Sequence, residues 1–231
     1  MLWWLTWRHG GIAINVGWRA SNMNLKVQQI KSQETYQWLL RKHYAKRIPN
    51  IVYAFGLYKN TDLIGVITYG IPPSDALCRG VCGSEHKAYV LELNRLCLQN
   101  NEKNEASFLV AHSLKLLPKP KIVVSYADTS KNHVGYIYQA TNFLYTGKTI
   151  ARTDMAGNDG KHSRHNLGDR TKRVFRSSKH RYIYLVAHKK FKKILRECLN
   201  YKIEPYPKGN NLYYDSSANI EKQIILDLET A

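Results

Sequence analysis

The side chains able to do chemistry fall into a few clusters. The richest is Ser125-Tyr126-Ala127-Asp128, followed by His133, Tyr136, Tyr138 and Gln139. Residues 121–127, with Ile122, Val123 and Val124, read as a buried strand, which puts Asp128 just past its C-terminal end. A carboxylate there, near phenols and an imidazole, can bind a metal or move protons. It can equally cap the next helix while the tyrosines pack at a sheet edge, and spacing alone favours that second reading. Arg41-Lys42-His43-Tyr44, with Arg47 and Pro49, ends a helix, where the dipole favours a cationic imidazole; a lone histidine there is more often structural. In Glu92-Leu93-Asn94-Arg95 polar groups interrupt an apolar strand, and the plain reading is a structural salt bridge. Cys78 and Cys82, with His86 and more loosely Cys97, have weak zinc-like spacing; ordinary reduced thiols are the simpler account. There is no phosphate-binding glycine loop, which argues against ATP or NAD chemistry, no serine nucleophile elbow, and no Asn- or Asp-Pro-Pro-Tyr tetrad of adenine methyltransferases.

These clusters need a scaffold, and the pattern supplies one. Leu25, Val27 and Ile30 mark a strand; Ser32 opens a helix running to about Tyr44; residues 51–58 and 63–69 form a hairpin around Lys59-Asn60-Thr61-Asp62. Residues 74–87 read as a loop, 89–98 as a strand, 104–117 as a helix broken by Pro118 and Pro120, 133–141 as a short helix and 143–150 as a strand. The stretch 151–180 lacks an apolar period, and a strand at 182–186 leads to a Lys-rich helix ending near Cys198. Antiparallel hairpins followed by a βαβ unit predict an α/β fold with one mixed central sheet flanked by helices. Residues 1–22 hold four of the five tryptophans and read as an N-terminal extension or an extra strand, 23–208 as the main domain, and 209–231 as a C-terminal tail.

Lys and Arg number 35 against 17 Asp and Glu in 231 residues, a formal charge of +18, while aromatics reach 11 %. This is a folded basic protein suited to a polyanion rather than a basic tail. Between residues 148 and 193 there are 14 Lys or Arg and three Asp. Lys161, Arg164, Arg170, Lys172, Arg173, Arg176, Lys179 and Arg181, interspersed with hydroxyl and amide side chains, are the candidate DNA-phosphate contacts; a solvated charged face is the alternative. Four cysteines exclude a disulfide-dense scaffold, and no apolar run is long enough for a membrane span.

Taken together, the chain resembles a known family. His43-Tyr44-Ala45-Lys46-Arg47-Ile48-Pro49-Asn50, Gly65-Val66-Ile67-Thr68-Tyr69-Gly70, Leu91-Glu92-Leu93-Asn94-Arg95-Leu96, Val124-Ser125-Tyr126-Ala127-Asp128 and the run Gly135 to Gly147 are similar to motifs of the Mom DNA-modification proteins of Mu-like phages. His180-Arg181-Tyr182-Ile183-Tyr184 and Glu204-Pro205-Tyr206-Pro207-Lys208 extend the likeness, which covers about Val27 to Lys208. The resemblance implies a fold like the GNAT acyltransferases and conversion of adenine in DNA to N6-carbamoylmethyladenine, shielding phage DNA from restriction. It implies iron, Fe²⁺, held by His43 and Asp128, with Tyr44, Arg95, Asp128 and Tyr138 as active-site side chains. The partner would be double-stranded DNA with a flipped adenine, in the host bacterial cytoplasm and with no membrane; the oligomeric state stays open, a homodimer among the options.

One departure from the acyltransferases is visible. Their glycine-rich turn after the central strand corresponds here to Gln99-Asn100-Asn101-Glu102-Lys103-Asn104, without glycine, which argues against acetyl-CoA. The carbamoylmethyl donor is not identified by the sequence. Two other readings stand beside this one: an acyltransferase acting on a protein or small amine, and a non-catalytic DNA-binding protein that blocks restriction by occupancy.

Overall fold

The computed structural model describes residues 25–155, 172–209 and 225–227, with only the backbone of 155, 172 and 225–227. The extension 1–22, most of the tail 209–231, and Lys161, Arg164 and Arg170 lie outside the described residues. In chain order the elements are β1 (Leu25–Gln29), α1 (Tyr36–Arg41), β2 (Tyr53–Lys59), β3 (Asp62–Gly70), α2 (Asp75–Cys82), β4 (Val90–Leu98), α3 (Glu105–Leu116), β5 (Lys121–Asp128), α4 (Tyr136–Ala140), β6 (Leu144–Lys148), β7 (Arg152–Met155), β8 (Lys172–Arg176), β9 (Lys179–Val186), α5 (Lys189–Glu197) and β10 (Ile225–Asp227). Short 3-10 turns precede α1 and β4 and follow β5.

Seven strands form one sheet in the order β1-β2-β3-β4-β5-β9-β6. The β4–β5 pair is parallel and the others are antiparallel. The predicted mixed central sheet flanked by helices is therefore the observed one, and α3 is the crossover that a parallel pair requires. The β2–β3 hairpin turns at Asn60, whose left-handed φ of 57° suits its short polar side chain.

Each face of the sheet buries its own core. On one, Phe55, Ile67, Tyr69, Leu91, Leu93 and Val123 pack with Leu109, Val110 and Leu114 of α3. The Tyr69 hydroxyl meets Ser113 Oγ at 2.7 Å, satisfying both polar groups inside this core. On the other, Val90, Ile122, Val124, Ile183 and Leu185 pack under α2 and α5, and Val66 and Cys97 pack under Leu39 of α1.

Three expectations are corrected. Residues 74–87 are not a loop: Ser74 caps α2 by accepting from the Leu77 N–H, and Cys78, Val81 and Cys82 form its buried face. The cysteine spacing that imitated a metal motif is the i, i+4 spacing of an apolar helix face. The stretch 151–180 contains β7 and β8, which with β10 form a second, antiparallel sheet of three strands. Of the side chains described in β7 and β8 only Val174 is buried, so no apolar period announces these strands. The first helix ends at Arg41, and the chain then makes a tight turn in which Lys46 adopts φ 41°.

Gly70 fixes how that turn returns to the sheet. A Cβ at Gly70 would collide with the Asn50 carbonyl, which lies against the strand and accepts a 2.9 Å hydrogen bond from Asn94 Nδ2. The colliding atom is backbone and cannot swing aside. Gly70→Ala is expected to lower unfolding stability by about 2–4 kcal/mol, measured by urea denaturation. An unchanged midpoint would show that the contact between the 42–52 segment and β3 is dispensable.

Candidate active site

The site grows from an irregularity in β4. Tyr69 pairs with Leu93 and Thr68 with Arg95, so Asn94 is an extra residue, a β-bulge. Its side chain is held at both ends: Oδ1 accepts from Thr68 Oγ1 at 2.6 Å and Nδ2 donates to the Asn50 carbonyl. Pairing of β4 with β5 stops at Glu92–Val124, although β5 continues to Asp128 along β9. Beyond that point the two parallel strands part, with Ser125 Oγ still donating to the Leu93 carbonyl at 3.2 Å.

Several predicted residues meet at this parting. Arg95 Nη1 donates to the Asn94 carbonyl at 2.6 Å, and Arg95 Nε is the only buried side-chain nitrogen or oxygen without a hydrogen-bond partner among the described residues. An orphaned guanidinium donor is costly unless a ligand satisfies it. His43 is buried, and its ring stacks on that of Tyr44 at a centroid separation of 4.4 Å, while Tyr44 itself is exposed. Burial, reinforced by the nearby Arg95 charge, pulls the His43 pKa down to about 3, so the imidazole is neutral at physiological pH. Its Nδ1 accepts from the Ala45 N–H at 3.0 Å, which places the single ring proton on Nε2.

Tyr138 approaches from the opposite face of the sheet. Its ring packs against Phe143 and Tyr182, and burial pushes its pKa up to about 12, with the Ser125 hydroxyl opposing and the Tyr44 and Glu92 sites adding to the rise. The phenol is protonated at neutral pH. Glu92, read from sequence as half of a structural salt bridge, forms no ion pair with Arg95; that expectation is corrected. Burial raises its pKa, and the Arg95 and Lys179 charges only partly offset this. The signal that could have found it was a carboxylate set between Leu91 and Leu93 on a central strand.

Asp128 belongs to a different cluster. It is the last residue of β5 rather than the first beyond it, and Oδ1 accepts from the Ser130 N–H at 3.0 Å and the Ser130 hydroxyl at 2.8 Å. The Ser177 hydroxyl donates to the same oxygen at 2.5 Å, and Lys179 Nζ lies 3.4 Å from Oδ2. These partners hold its pKa below the usual value against the opposing effect of burial. The Lys179 charge also acts on Glu92, which links Asp128 to the site electrostatically.

This geometry does not fit an ion shared by His43 and Asp128. His43 Nδ1 is engaged with Ala45 while Nε2 carries the proton, and both Asp128 oxygens have protein partners. No group of three His, Cys, Asp or Glu able to hold a metal occurs among the described residues.

The described members of the basic segment are largely engaged with the protein. Arg181 donates from Nε to Thr146 Oγ1 at 3.0 Å and from Nη2 to the Thr146 carbonyl at 2.8 Å, with its guanidinium 3.4 Å from the Tyr201 ring centroid. Arg176 Nε lies 3.4 Å from Asp154, and Arg173 donates to Thr153 at 3.4 Å while remaining exposed. The Lys172 side chain, like Lys161, Arg164 and Arg170, lies outside what is described.

Residues 24–208 match the model of the Mom protein family. The chain belongs to the Mom family. A Mom relative, the methylcarbamoylase mom of Escherichia phage Mu, is 29% identical over 200 residues, covering 74% of this chain and 80% of the relative. Among solved structures the chain is similar to an N-acetyltransferase from Staphylococcus aureus Mu50, with a TM-score of 0.42 and 15% identity over 71% of this chain and 99% of that one. It is also similar to a GNAT-family acetyltransferase from Streptococcus pneumoniae, with a TM-score of 0.40 and 7% identity over 70% of this chain and 98% of that one. The likeness of this Mom chain to the ribosomal-protein-S18-alanine N-acetyltransferase of Escherichia coli has a TM-score of 0.42 and 10% identity, over 71% and 95% of the two chains.

The turn into α3 bears on one family-level expectation. Asn101 and Asn104 adopt the left-handed φ values of 50° and 70° that glycine would otherwise supply. Glu105, the first residue of the helix, has a buried side chain that accepts from the Glu102 N–H of the preceding turn at 2.9 Å. A carboxylate thus stands where a helix dipole would otherwise receive an external anion.

Acid stability tests the state of His43. Its folded pKa lies below the unfolded value of 6.5, so its contribution is fully present above pH 6.5 and is lost as pH falls toward about 3. His43→Gln is expected to flatten the fall in stability below pH 6.5 by about 2–4 kcal/mol. Parallel pH–stability curves for the two proteins would show that the imidazole titrates normally.

Proposed function

We propose that this Mom-family protein is a DNA-modifying transferase that places a carbamoylmethyl group on N6 of adenine, protecting phage DNA from host restriction. Family membership supports the reaction class, and the relative from phage Mu carries the name methylcarbamoylase. The single observation that carries the residue assignment is the gap between β4 and β5, where Arg95 Nε lacks a partner beside a neutral His43 and a half-buried Glu92. The partner in this reading is double-stranded DNA, met in the host bacterial cytoplasm without a membrane. No helix among the described residues is long and apolar enough to cross one.

Bond formation at N6 requires that the amine lose a proton and that the donor's leaving group depart with its electron pair. In this reading Glu92 accepts the N6 proton, its raised pKa bringing its basicity closer to neutrality. Arg95 Nε, with the His43 Nε2 proton, holds the carboxamide oxygen of the donor, and the protonated Tyr138 phenol faces the departing group. Tyr44, exposed and backed by the His43 ring, stacks on the adenine drawn out of the duplex. Asp128 acts as a positioning residue by fixing Lys179 beside Glu92. Because the two proposed iron ligands do not fit a shared ion, no step is assigned to Fe²⁺. The Glu105 carboxylate at the start of α3 favours an activated carbamoylmethyl donor that is not a coenzyme A thioester.

Mass spectrometry of nucleosides from the DNA of expressing cells is expected to show carbamoylmethylated deoxyadenosine that survives deproteinisation. Glu92→Gln should reduce it about 10²–10⁴-fold while the folded content stays normal. Product formation by wild type should rise with pH on an acid limb displaced upward from an ordinary carboxylate, in the direction of the Glu92 shift. Unmodified DNA, or protection that vanishes with the protein, would favour the occupancy reading; acetylated protein or amine products would favour the acyltransferase reading.

A further inference from the structure

The segment between α1 and β2 combines features that the chemistry of the site does not use. Ile48 and Val52 are exposed aliphatic side chains, 36% and 43% accessible, on a loop that also carries Lys42, Lys46 and Arg47. None of these three cations has a carboxylate within ion-pair distance among the described residues, although Lys42 lies over the Trp38 ring at 5.0 Å. The loop is held firmly. Val52 N–H donates to the Tyr69 carbonyl at 2.8 Å, the Asn50 carbonyl rests against Gly70 and is gripped by Asn94, and the Lys46 N–H donates to the His43 carbonyl at 2.9 Å. The Asn94–Asn50 hydrogen bond ties the loop to the bulge of β4 next to Arg95, whose charge Tyr44 and Arg47 both influence.

We infer that this loop opens the DNA duplex: Ile48 and Val52 enter the base stack where the target nucleotide leaves, and Lys46 and Arg47 hold the flanking phosphates. The inference rests on the proposed DNA-modification reading and adds how that site reaches a paired base. Exposed aliphatic groups gain little in water, but between separated bases they replace lost stacking. Unpaired cations interleaved with them match a phosphate backbone. The rigid anchoring at Asn50 and Val52 lets the loop act as a wedge rather than fold away, and Tyr44 on the same loop receives the extruded base.

The test uses the full chain with duplex and single-stranded oligonucleotides in which 2-aminopurine replaces one adenine. Wild type should brighten the duplex probe as the base unstacks. The double variant Ile48→Ala, Val52→Ala is expected to lose at least about tenfold of that response, while its affinity for the single strand changes less than about twofold. Both positions are exposed, so folding is preserved, which thermal melting checks. An undiminished duplex response in the variant overturns the wedge and leaves the modification reading intact. Equal loss on duplex and single strand also overturns it, because that marks a general contact. A change of oligomeric state in sedimentation with base unstacking retained assigns the patch to a second copy of the chain instead. If wild type fails to bind either DNA, the modification reading itself falls and this inference with it.

Discussion

The architecture of the site depends on one extra residue in β4. In a regular strand Glu92 and Arg95, three apart, would point to opposite faces of the sheet. The bulge at Asn94 resets the alternation. Leu91 and Leu93 before it, and Leu96 and Leu98 after it, all pack into the core over α3, while Glu92 and Arg95 share the opposite face. The same bulge frees the Asn94 side chain to grip Thr68 and Asn50, which sets the loop carrying His43 and Tyr44 over the end of the strand. Three parts of the site, far apart in sequence, therefore take their relative positions from a single insertion.

That insertion was written in the chain as leucines spaced two, three and two residues apart, a break in a period of two that identifies a bulge once the strand is known. The regular parts were legible for the same physical reason: the β2–β3 hairpin, α3 and β5 bury one stripe or one run of apolar side chains, and burial leaves a period. α2 was not legible, since two of its three buried positions are cysteines and Gly80 sits inside it. β7 and β8 were not legible because a basic accessory sheet leaves most of its side chains in water. The resemblance to the Mom family led to the fold class, and among the residues it singled out, Tyr44 and His43 stack on each other and Arg95 acts electrostatically on His43. Periodicity places a strand's end, however, but not what its last side chain touches. Asp128 is drawn to Ser130, Ser177 and Lys179 by local turns that no spacing rule encodes.

Electrostatics make the gap an unusual environment. His43 is kept neutral by burial and by a cation, Glu92 is pushed toward its neutral form by burial, and Arg95 stays charged with one donor unmet. A protein seeking only stability would pair Glu92 with Arg95, because an unpaired buried charge costs several kcal/mol. Both lie instead on one face without an ion pair, which leaves a carboxyl group of raised pKa and an unmet guanidinium donor on the same side of the sheet. Stability forgone at a site of this kind is recovered when a ligand supplies the missing partners.

The distribution of positive charge completes the picture. A charge of +18 does not by itself say where a polyanion would lie. In the accessory sheet Arg152 and Arg176 converge on Asp154, and Arg181 is fastened to Thr146 and Tyr201, so much of that charge braces the fold. Along α5, Lys189, Lys190 and Lys192 stand exposed over a single buried anchor, Leu195, with Lys193 loosely paired to Glu197 at 3.9 Å. This helix and the loop after α1 cover the same face of the sheet, the face from which Glu92 and Arg95 are reached. That face therefore carries exposed cations at its margins and desolvated groups at its centre, a division of charge that the total of +18 does not disclose.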